Sequence, residues 1–217
     1  METGIRKKIF LEKKILGINP IWISSLLILL LAVLAFVAGE LLNLSLVGFE
    51  VIFPFYVAIA IGEWAKFKSD KNFDIIVSQT ESIFRWVICR FLTVFGMITG
   101  FAVLGMIIVS VIRSELPIIE LFFIYFSPAF FLASFATFWC LLFEEGHIAT
   151  LICGVYWLIM ILIRSMLRYK YVQYLYLFIR YAGDLNEIWI MNKIVLFGIS
   201  CVIWIIIYLI CKKKIKC

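Results

Sequence analysis

Long runs of apolar residues with few charges dominate the sequence and restrict the folds that it can adopt. Hydrophobic residues make up 65% of the 217 positions, whereas a soluble domain contains about 45–50%. A soluble protein of this size could not bury so many apolar side chains in one core. A helix that crosses a hydrocarbon layer about 30 Å thick needs about 20 apolar residues, and the longer runs reach that length. The sequence therefore predicts an all-α, polytopic membrane protein.

Six apolar blocks are candidates for membrane spans within a single domain that covers residues 1–217. The blocks are about 21–38, 46–62, 86–112, 121–143, 148–163 and 194–211. Basic residues, which are enriched in cytoplasmic segments, precede the first block and follow the last one (Arg6, Lys7, Lys8, Lys13, Lys14, Lys212, Lys213, Lys214 and Lys216). We therefore predict a multi-pass protein of the cell membrane with six transmembrane helices and both termini in the cytoplasm.

The loops between the blocks follow this orientation with one exception. Residues 63–90 would be cytoplasmic, and they are rich in Lys and Arg. Residues 164–193 would be external although they carry five basic residues, and aromatic residues recur there at helical spacing (Tyr171, Tyr174, Phe178 and Tyr181). Because aromatic rings favour the membrane–water boundary, we predict a short interfacial or re-entrant helix before the last span. The alternative is that Arg164 and Arg168 extend the fifth helix and snorkel outward.

The N-terminal segment "GIRKKIFLEKKILGINP" has the pattern of an amphipathic helix that lies on the membrane surface. Ile5, Ile9 and Leu16 fall on one side, and cations cover much of the remaining surface. The dipeptide Asn19-Pro20 is typical of a helix boundary. We predict a surface helix that ends where the first span begins.

The sequence offers little that could support catalysis. His147 is the single histidine, which argues against a metal site built from several imidazoles. No G-x-x-x-x-G-K-[ST] phosphate loop occurs, so we do not expect the chain to hydrolyse ATP by itself. The net charge of +6 comes from basic residues at cytoplasmic ends, and no soluble module is left over for nucleic-acid binding. We expect neither an enzyme nor a nucleic-acid-binding protein, and no cofactor in this chain.

The segment "FEEGHIAT" has two interpretations. Glu144, Glu145 and His147 could act together in an intramembrane hydrolase, although such enzymes need further ligands on neighbouring helices. The simpler interpretation is a tight cytoplasmic hairpin between the fourth and fifth helices.

Two residues of the second block are candidates for a polar cavity or for gating. Glu50 is the deepest carboxylate in the apolar blocks, and Pro54 follows it by one helical turn. An ionisable group within a span is expensive and marks a functional site more often than an ordinary surface position does. The alternative is that Glu50 reaches the lipid headgroups.

The polar segment "DKNFDIIVSQTESIFRWVICR" separates the second and third blocks. Phe73, Ile76 and Val77 share one face of a short helix, whereas Asp74 lies elsewhere. Ser78 and Glu81 then form a capping box that begins a new helix. We predict a short cytoplasmic helix, a break, and a long membrane helix joined to it.

This segment resembles the coupling region of ABC-2 type transporter permeases, an exporter class with six spans per subunit. In that family a coupling helix between spans two and three docks on an ATP-binding subunit, and a break and a basic residue follow it. "FDIIVSQTESIFRWVICR" is similar, with Thr80 where proline is frequent. An amphipathic connecting helix and a re-entrant external segment are also family features, and they would correspond to residues 4–19 and about 171–190. "WIMNKIVLFGISCVIWIIIYLICKKK" resembles the family's last span.

The resemblance implies a half-size permease without a cofactor of its own. It would pair with a second permease subunit, identical or different, and with a separate ATPase that binds ATP and Mg²⁺. The residues that correspond to the contact with the ATPase are Phe73, Asp74, Ile76, Val77, Ser78 and Glu81. The Ile-, Phe- and Lys-rich composition is typical of low-GC bacteria, in which such permeases often export antimicrobial or other amphipathic peptides. The alternative is a stand-alone membrane protein, such as a bacteriocin immunity protein.

Overall fold

The computed structural model describes residues 19–37, 47–64, 83–112, 118–143, 145–179 and 188–214. Every regular element within these ranges is helical, which confirms the all-α prediction. The α-helices are α1 (Asn19–Val37), α2 (Phe53–Trp64), α3 (Ile83–Ile112), α4 (Ile118–Phe143), α5 (Gly146–Leu162), α6 (Lys170–Leu175) and α7 (Ile188–Lys214). A π-helical turn, Gly48–Ile52, leads directly into α2, and a 3-10 helix, Ile163–Arg168, follows α5.

Four helices in the described part of the chain are long and apolar enough to cross a membrane, which confirms the prediction of a membrane protein. They are Ile83–Ile112, Ile118–Phe143, Gly146–Arg168 and Ile188–Lys212, and a shorter apolar helix covers Pro20–Phe36. Large apolar side chains point outward along them; for example, Val111 is 79% exposed and Leu162 is 77% exposed. A bundle surrounded by acyl chains can carry such an apolar surface, because lipid tails are as apolar as leucine.

Helix α4 lies at the centre of the bundle and packs against α2, α3, α5 and α7. It is the most buried of the four long helices. Ala129, Ala133 and Ala136 recur along it and are fully buried, and such small residues let neighbouring helices approach closely. Helix α1 lies at the side of the bundle, where it packs mainly on α3.

Aromatic rings connect α3, α4 and α7 along their shared contact. Phe91 stacks on Phe95 within α3, and both rings meet Phe130 of α4 edge-on. Trp204 of α7 packs edge-on against Phe91 with the ring centroids 4.7 Å apart, and its indole N–H donates to the hydroxyl oxygen of Ser134 at 3.0 Å. Aromatic pairs in these geometries add to the energy of area burial. The three helices therefore form one continuous packed unit.

Gly62 allows α2 and α5 to approach each other closely. A Cβ atom added there would meet the Oγ1 atom of Thr150 and would lie 3.3 Å from the carbonyl oxygen of Gly146. Thr150 is β-branched and stiff, and the second neighbour is backbone, so the contact has little room to relax. The glycine is therefore required by packing.

We expect Gly62→Ala to destabilise the protein by about 1–3 kcal/mol, because it overpacks this contact. Gly96→Ala is the matched control, since nothing lies within 4 Å of a Cβ added at that exposed position of α3. Alanine has the higher helix propensity, so the control should be neutral or more stable by up to about 1 kcal/mol. Thermal unfolding in detergent measures both variants, and equal midpoints would contradict the packing role.

Candidate functional site

A cluster of buried polar residues (Glu50, Gln173, Asn192 and Lys193) lies at one end of the bundle, which we call the upper end. It contains the π-helical turn, the start of α4, the end of α5 and the start of α7. The opposite, lower end contains Phe143 and Gly146. In the orientation predicted from the basic residues, the upper end is external.

A buried ion pair joins two distant parts of the chain at the upper end. The Nζ atom of Lys193 in α7 lies 2.7 Å from the Oε1 atom of Glu50 in the π-helical turn, and the two side chains are 4% and 0% exposed. The ammonium also donates to the carbonyl oxygen of Leu177 at 3.2 Å. Lys193 is five residues from the start of α7, or about 7.5 Å along the helix axis. The pair therefore lies inside the bundle, where each charge needs the other.

Pro54 explains why the backbone is irregular where Glu50 lies. Proline has no N–H to donate to the carbonyl of Glu50, four residues earlier, and its ring crowds that carbonyl. The turn widens, and the N–H of Phe53 bonds the carbonyl of Gly48, five residues back. The indole N–H of Trp157 in α5 donates to the carbonyl oxygen of Val51 at 3.0 Å. Single π-helical turns are rare and often occur at functional sites.

The chain between α5 and α7 turns back into the upper end of the bundle. Residues 176–179 follow α6 without continuing its helix, yet Tyr176, Leu177, Phe178 and Ile179 are fully buried. The side-chain amide of Asn192 holds this turn, since its Nδ2 atom lies 2.8 Å from the carbonyl oxygen of Gln173, 3.0 Å from that of Tyr174 and 2.8 Å from that of Tyr176. The non-helical backbone of residues 176–178 is thus enclosed by protein, and the side chain of Asn192 bonds the carbonyl of Tyr176.

Two buried amide oxygens lie in the residues that hold this turn. Gln173 donates through Nε2 to the carbonyl oxygen of Leu167 at 2.6 Å. Among the described residues, neither the Oε1 atom of Gln173 nor the Oδ1 atom of Asn192 has a hydrogen-bond partner. Gln173 is 8% exposed and Asn192 is 0% exposed. A buried acceptor without a donor is costly, so this part of the upper end is not fully satisfied.

An apolar groove runs between α4 and α7 at the upper end. Its volume is about 870 Å³, and aromatic side chains dominate its lining (Phe122, Phe123, Phe126, Trp189 and Phe197). Glu120, Ser127 and Lys193 also line it. Ligand sites of about 300–1,000 Å³ commonly combine apolar walls with a few polar groups. Lys193 therefore belongs both to the buried ion pair and to the wall of this groove.

The lower end holds the residues that suggested a hydrolase. Helices α4 and α5 form a tight hairpin, and the Nδ1 atom of His147 lies 3.3 Å from the Oε1 atom of Glu63 on α2. The His147 side chain is 77% exposed, and Glu145 is exposed as well. No group of three or more potential metal ligands occurs in the part of the chain that the structure describes. Glu144 lies outside the described residues. This geometry favours the hairpin interpretation.

The two cavity candidates from the sequence lie next to each other at the upper end. Glu50 does not reach the membrane surface; it is buried and paired with Lys193. Pro54 is buried directly after the π-helical turn. The predicted coupling residues (Phe73, Asp74, Ile76, Val77, Ser78 and Glu81) lie outside the described residues. The predicted N-terminal surface helix, residues 4–19, lies outside them as well, except for Asn19.

Two expectations about residues 164–193 need correction. The helix predicted from the aromatic spacing ends at Leu175. Phe178 lies beyond it, in the buried turn, where its ring packs edge-on against Trp157 and Tyr176. The last helix begins at Ile188, six residues before the predicted block. The charge of Lys193 had suggested a position outside the span, but Glu50 neutralises that charge within the bundle.

Sequence reasoning did not identify Lys193, Asn192 or Gln173 as site residues. Asn192 and Lys193 directly precede the predicted last block, 194–211. The sequence did contain a hint of this ion pair. In the predicted orientation Glu50 and Lys193 lie at the same end of the bundle, so an opposite-charge pair could have been expected there.

No protein-family model, no curated protein and no solved structure matches this chain.

Proposed function

We propose that this protein is the transmembrane permease subunit of an ATP-binding cassette exporter of the ABC-2 type. A separate ATPase subunit drives it, and a second permease subunit completes the transporter. Its substrate is an amphipathic molecule, with a peptide favoured. The proposal is supported by the resemblance of residues 73–90 to a coupling region and by the architecture of the upper end.

The observation that carries the proposal is the interruption of two membrane elements at the same end of the bundle. The π-helical turn interrupts the helical segment that contains Glu50, and residues 176–179 turn back into the bundle without forming a continuous helix. Irregular backbone at membrane depth is tolerated only where protein encloses it or where it lines a cavity. A passive anchor has no need of such elements, whereas interrupted helices are common at the substrate paths of transporters.

The groove between α4 and α7 supports an amphipathic substrate. Its aromatic walls suit an apolar chain, and the polar side chains of Glu120, Ser127 and Lys193 suit a polar group on the same molecule. A substrate that enters from the membrane must pass from the hydrocarbon into the protein. The groove between α4 and α7 provides such a path, because Lys193 lines it and belongs to the buried ion pair.

The proposal includes six crossings with both termini in the cytoplasm. In this topology the four long helices and the shorter α1 would make five crossings. The sixth would be the π-helical turn continued by α2, with five and 12 residues, which together reach the lower limit of about 17 residues for a span. An even number of crossings agrees with the basic residues at both termini.

The test is recovery of an ATPase subunit with the tagged protein. We expect the isolated chain to show no ATP hydrolysis, because it contains no phosphate loop, and we expect activity to appear when a Walker-motif subunit co-purifies. An unrelated six-span protein, tagged and expressed to the same level in the same cells, is the control. Robust hydrolysis by the homogeneous chain would contradict the proposal. Failure to recover an ATPase from native membranes would favour the stand-alone alternative.

A further inference from the structure

We infer that the Glu50–Lys193 ion pair is a reversible latch that holds residues 176–179 inside the upper end of the bundle. The latch consists of three groups: the Glu50 carboxylate, the Lys193 ammonium and the Leu177 carbonyl. The idea that this latch gates a substrate rests on the proposed function. The idea that the upper end opens locally does not rest on it, and the test of local opening requires neither the ATPase nor transport.

The ion pair bridges two segments of the upper end. The ammonium of Lys193 bonds two elements at once, the π-helical turn through Glu50 at 2.7 Å and the buried turn through Leu177 at 3.2 Å. Like the 3-10 helix after α5, both segments depart from regular α-helix. Loss of the ammonium would remove the ion pair between the π-helical turn and α7 and would leave Asn192 as the side chain of α7 that bonds the carbonyls of the buried turn.

The aromatic contacts that join α3, α4 and α7 do not depend on the latch. They lie below the pair, and they do not involve the π-helical turn or residues 176–179. These contacts can therefore persist if the two latched segments move.

Two buried acceptors lie beside the latch. Within the described residues the Oε1 atom of Gln173 and the Oδ1 atom of Asn192 have no partner, and both residues are at least nine-tenths buried. An outward movement of the turn would expose these oxygens to water, which can donate to them.

The latch also contacts the groove. Lys193 lines the groove between α4 and α7 while its ammonium is bonded to Glu50. An opening of the latch would therefore connect the apolar groove with the polar interior of the upper end. An amphipathic molecule in the groove would meet this connection at the side chain of Lys193.

The test measures water access to residue 179, which is fully buried in the closed arrangement. Ile179→Cys is introduced, Cys153 is kept, and the other cysteines are replaced by alanine. Cys153 is also fully buried, but it lies in α5 away from the latch, so it reports global unfolding. The full-length protein in membrane vesicles is treated with a membrane-impermeant maleimide, before and after permeabilisation, which also shows on which side the upper end lies.

We expect the thiol at position 179 to react slowly but measurably in the parent protein, while Cys153 stays protected. Lys193→Met should raise the rate at position 179 by about tenfold or more, because a charge-assisted hydrogen bond is worth more than one tenfold step. The charge swap Glu50→Lys/Lys193→Glu should return the rate to within about threefold of the parent, since it restores the coupling. If Lys193→Met does not accumulate, Glu50→Gln removes the charge while keeping the shape, and it should raise the rate several-fold.

Three results would overturn the latch. Equal protection of the thiols at position 179 and Cys153 from maleimide in the parent protein would show that the ion pair does not open reversibly. An unchanged rate at position 179 in Lys193→Met, or in Glu50→Gln where that variant replaces it, would show that the ion pair does not hold the turn. A rate at Cys153 that rises to match the rate at position 179 would show that the two thiols are exposed together by global unfolding, so that the pair only supports global stability. None of these results depends on an ATPase, so the proposed function can fail while the latch stands, and the reverse also holds.

Discussion

Replacement of Lys193 by methionine alone is expected to destabilise the folded protein by about 3–5 kcal/mol, because it leaves the carboxylate of Glu50 buried without its partner. Glu50 is 0% exposed and lies 2.7 Å from the ammonium, so water cannot easily replace the lost contact. Thermal unfolding in detergent, followed as the loss of the monodisperse peak in size-exclusion chromatography, measures the effect.

Two further variants separate the charge effect from loss of packing. The double variant Glu50→Met/Lys193→Met should recover most of the loss, because apolar residues of similar volume often replace a buried ion pair without cost. Lys170→Met, at an exposed position of α6, removes a cation from the same region and should change stability by no more than about 0.5 kcal/mol. A Lys193→Met variant that unfolds at the same temperature as Lys170→Met would show that the pair contributes nothing to stability.

The second large effect concerns the predicted coupling helix. Phe73→Asp combined with Ile76→Asp should abolish docking of the ATPase, because each lost apolar anchor is worth about 1.5–3 kcal/mol and each new carboxylate would be buried in the contact. Both residues precede α3 and lie outside the described residues, so the expectation comes from their helical spacing. Insertion and abundance should stay near normal, since no span is altered. Pull-down of the ATPase at matched expression measures docking, and substrate-stimulated hydrolysis should fall with it.

The control for this experiment is Lys71→Asp, which adds a carboxylate to the same predicted helix away from its apolar face. It should retain the partner if the apolar face makes the contact. Full recovery of the ATPase by the Phe73→Asp/Ile76→Asp variant, with normal transport, would mean that this face only rests on the membrane surface. Equal loss in the control would indicate a nonspecific charge effect.

The helices could be predicted from the sequence because the bilayer imposes a simple requirement on each one. Apolar length alone located the cores of α1, α3, α4, α5 and α7, and the tight turn before His147 was expected between two long apolar blocks. The boundaries were less accurate where charge was the criterion. The last helix begins at Ile188 because Lys193 has a partner inside the bundle, and a partner 143 positions away is invisible to a local pattern.

The sequence predicted only some residues of the candidate site, because the others have partners that are distant in the sequence. Glu50 and Pro54 stood out as a carboxylate and a helix breaker within an apolar block, and both lie at the upper end. Asn192 and Gln173 gave no local signal, because their roles depend on backbone carbonyls of a turn that the sequence does not reveal. Phe178 continued an aromatic spacing that suggested a helix, but its burial against Trp157 places it in the turn.

The long separation of Glu50 and Lys193 has a consequence for how the protein is made. The two residues are 143 positions apart, and at about 5–20 residues per second a ribosome needs roughly 7–29 s to travel from the first codon to the second. During that interval the nascent carboxylate of Glu50 has no ammonium to meet within its own chain, and an unpaired charge in hydrocarbon is unfavourable. The segment that carries Glu50 is therefore less stable in the membrane until α7 is synthesised. A transcript truncated before Lys193 would produce a chain in which Glu50 lacks the ammonium that it meets in the complete fold.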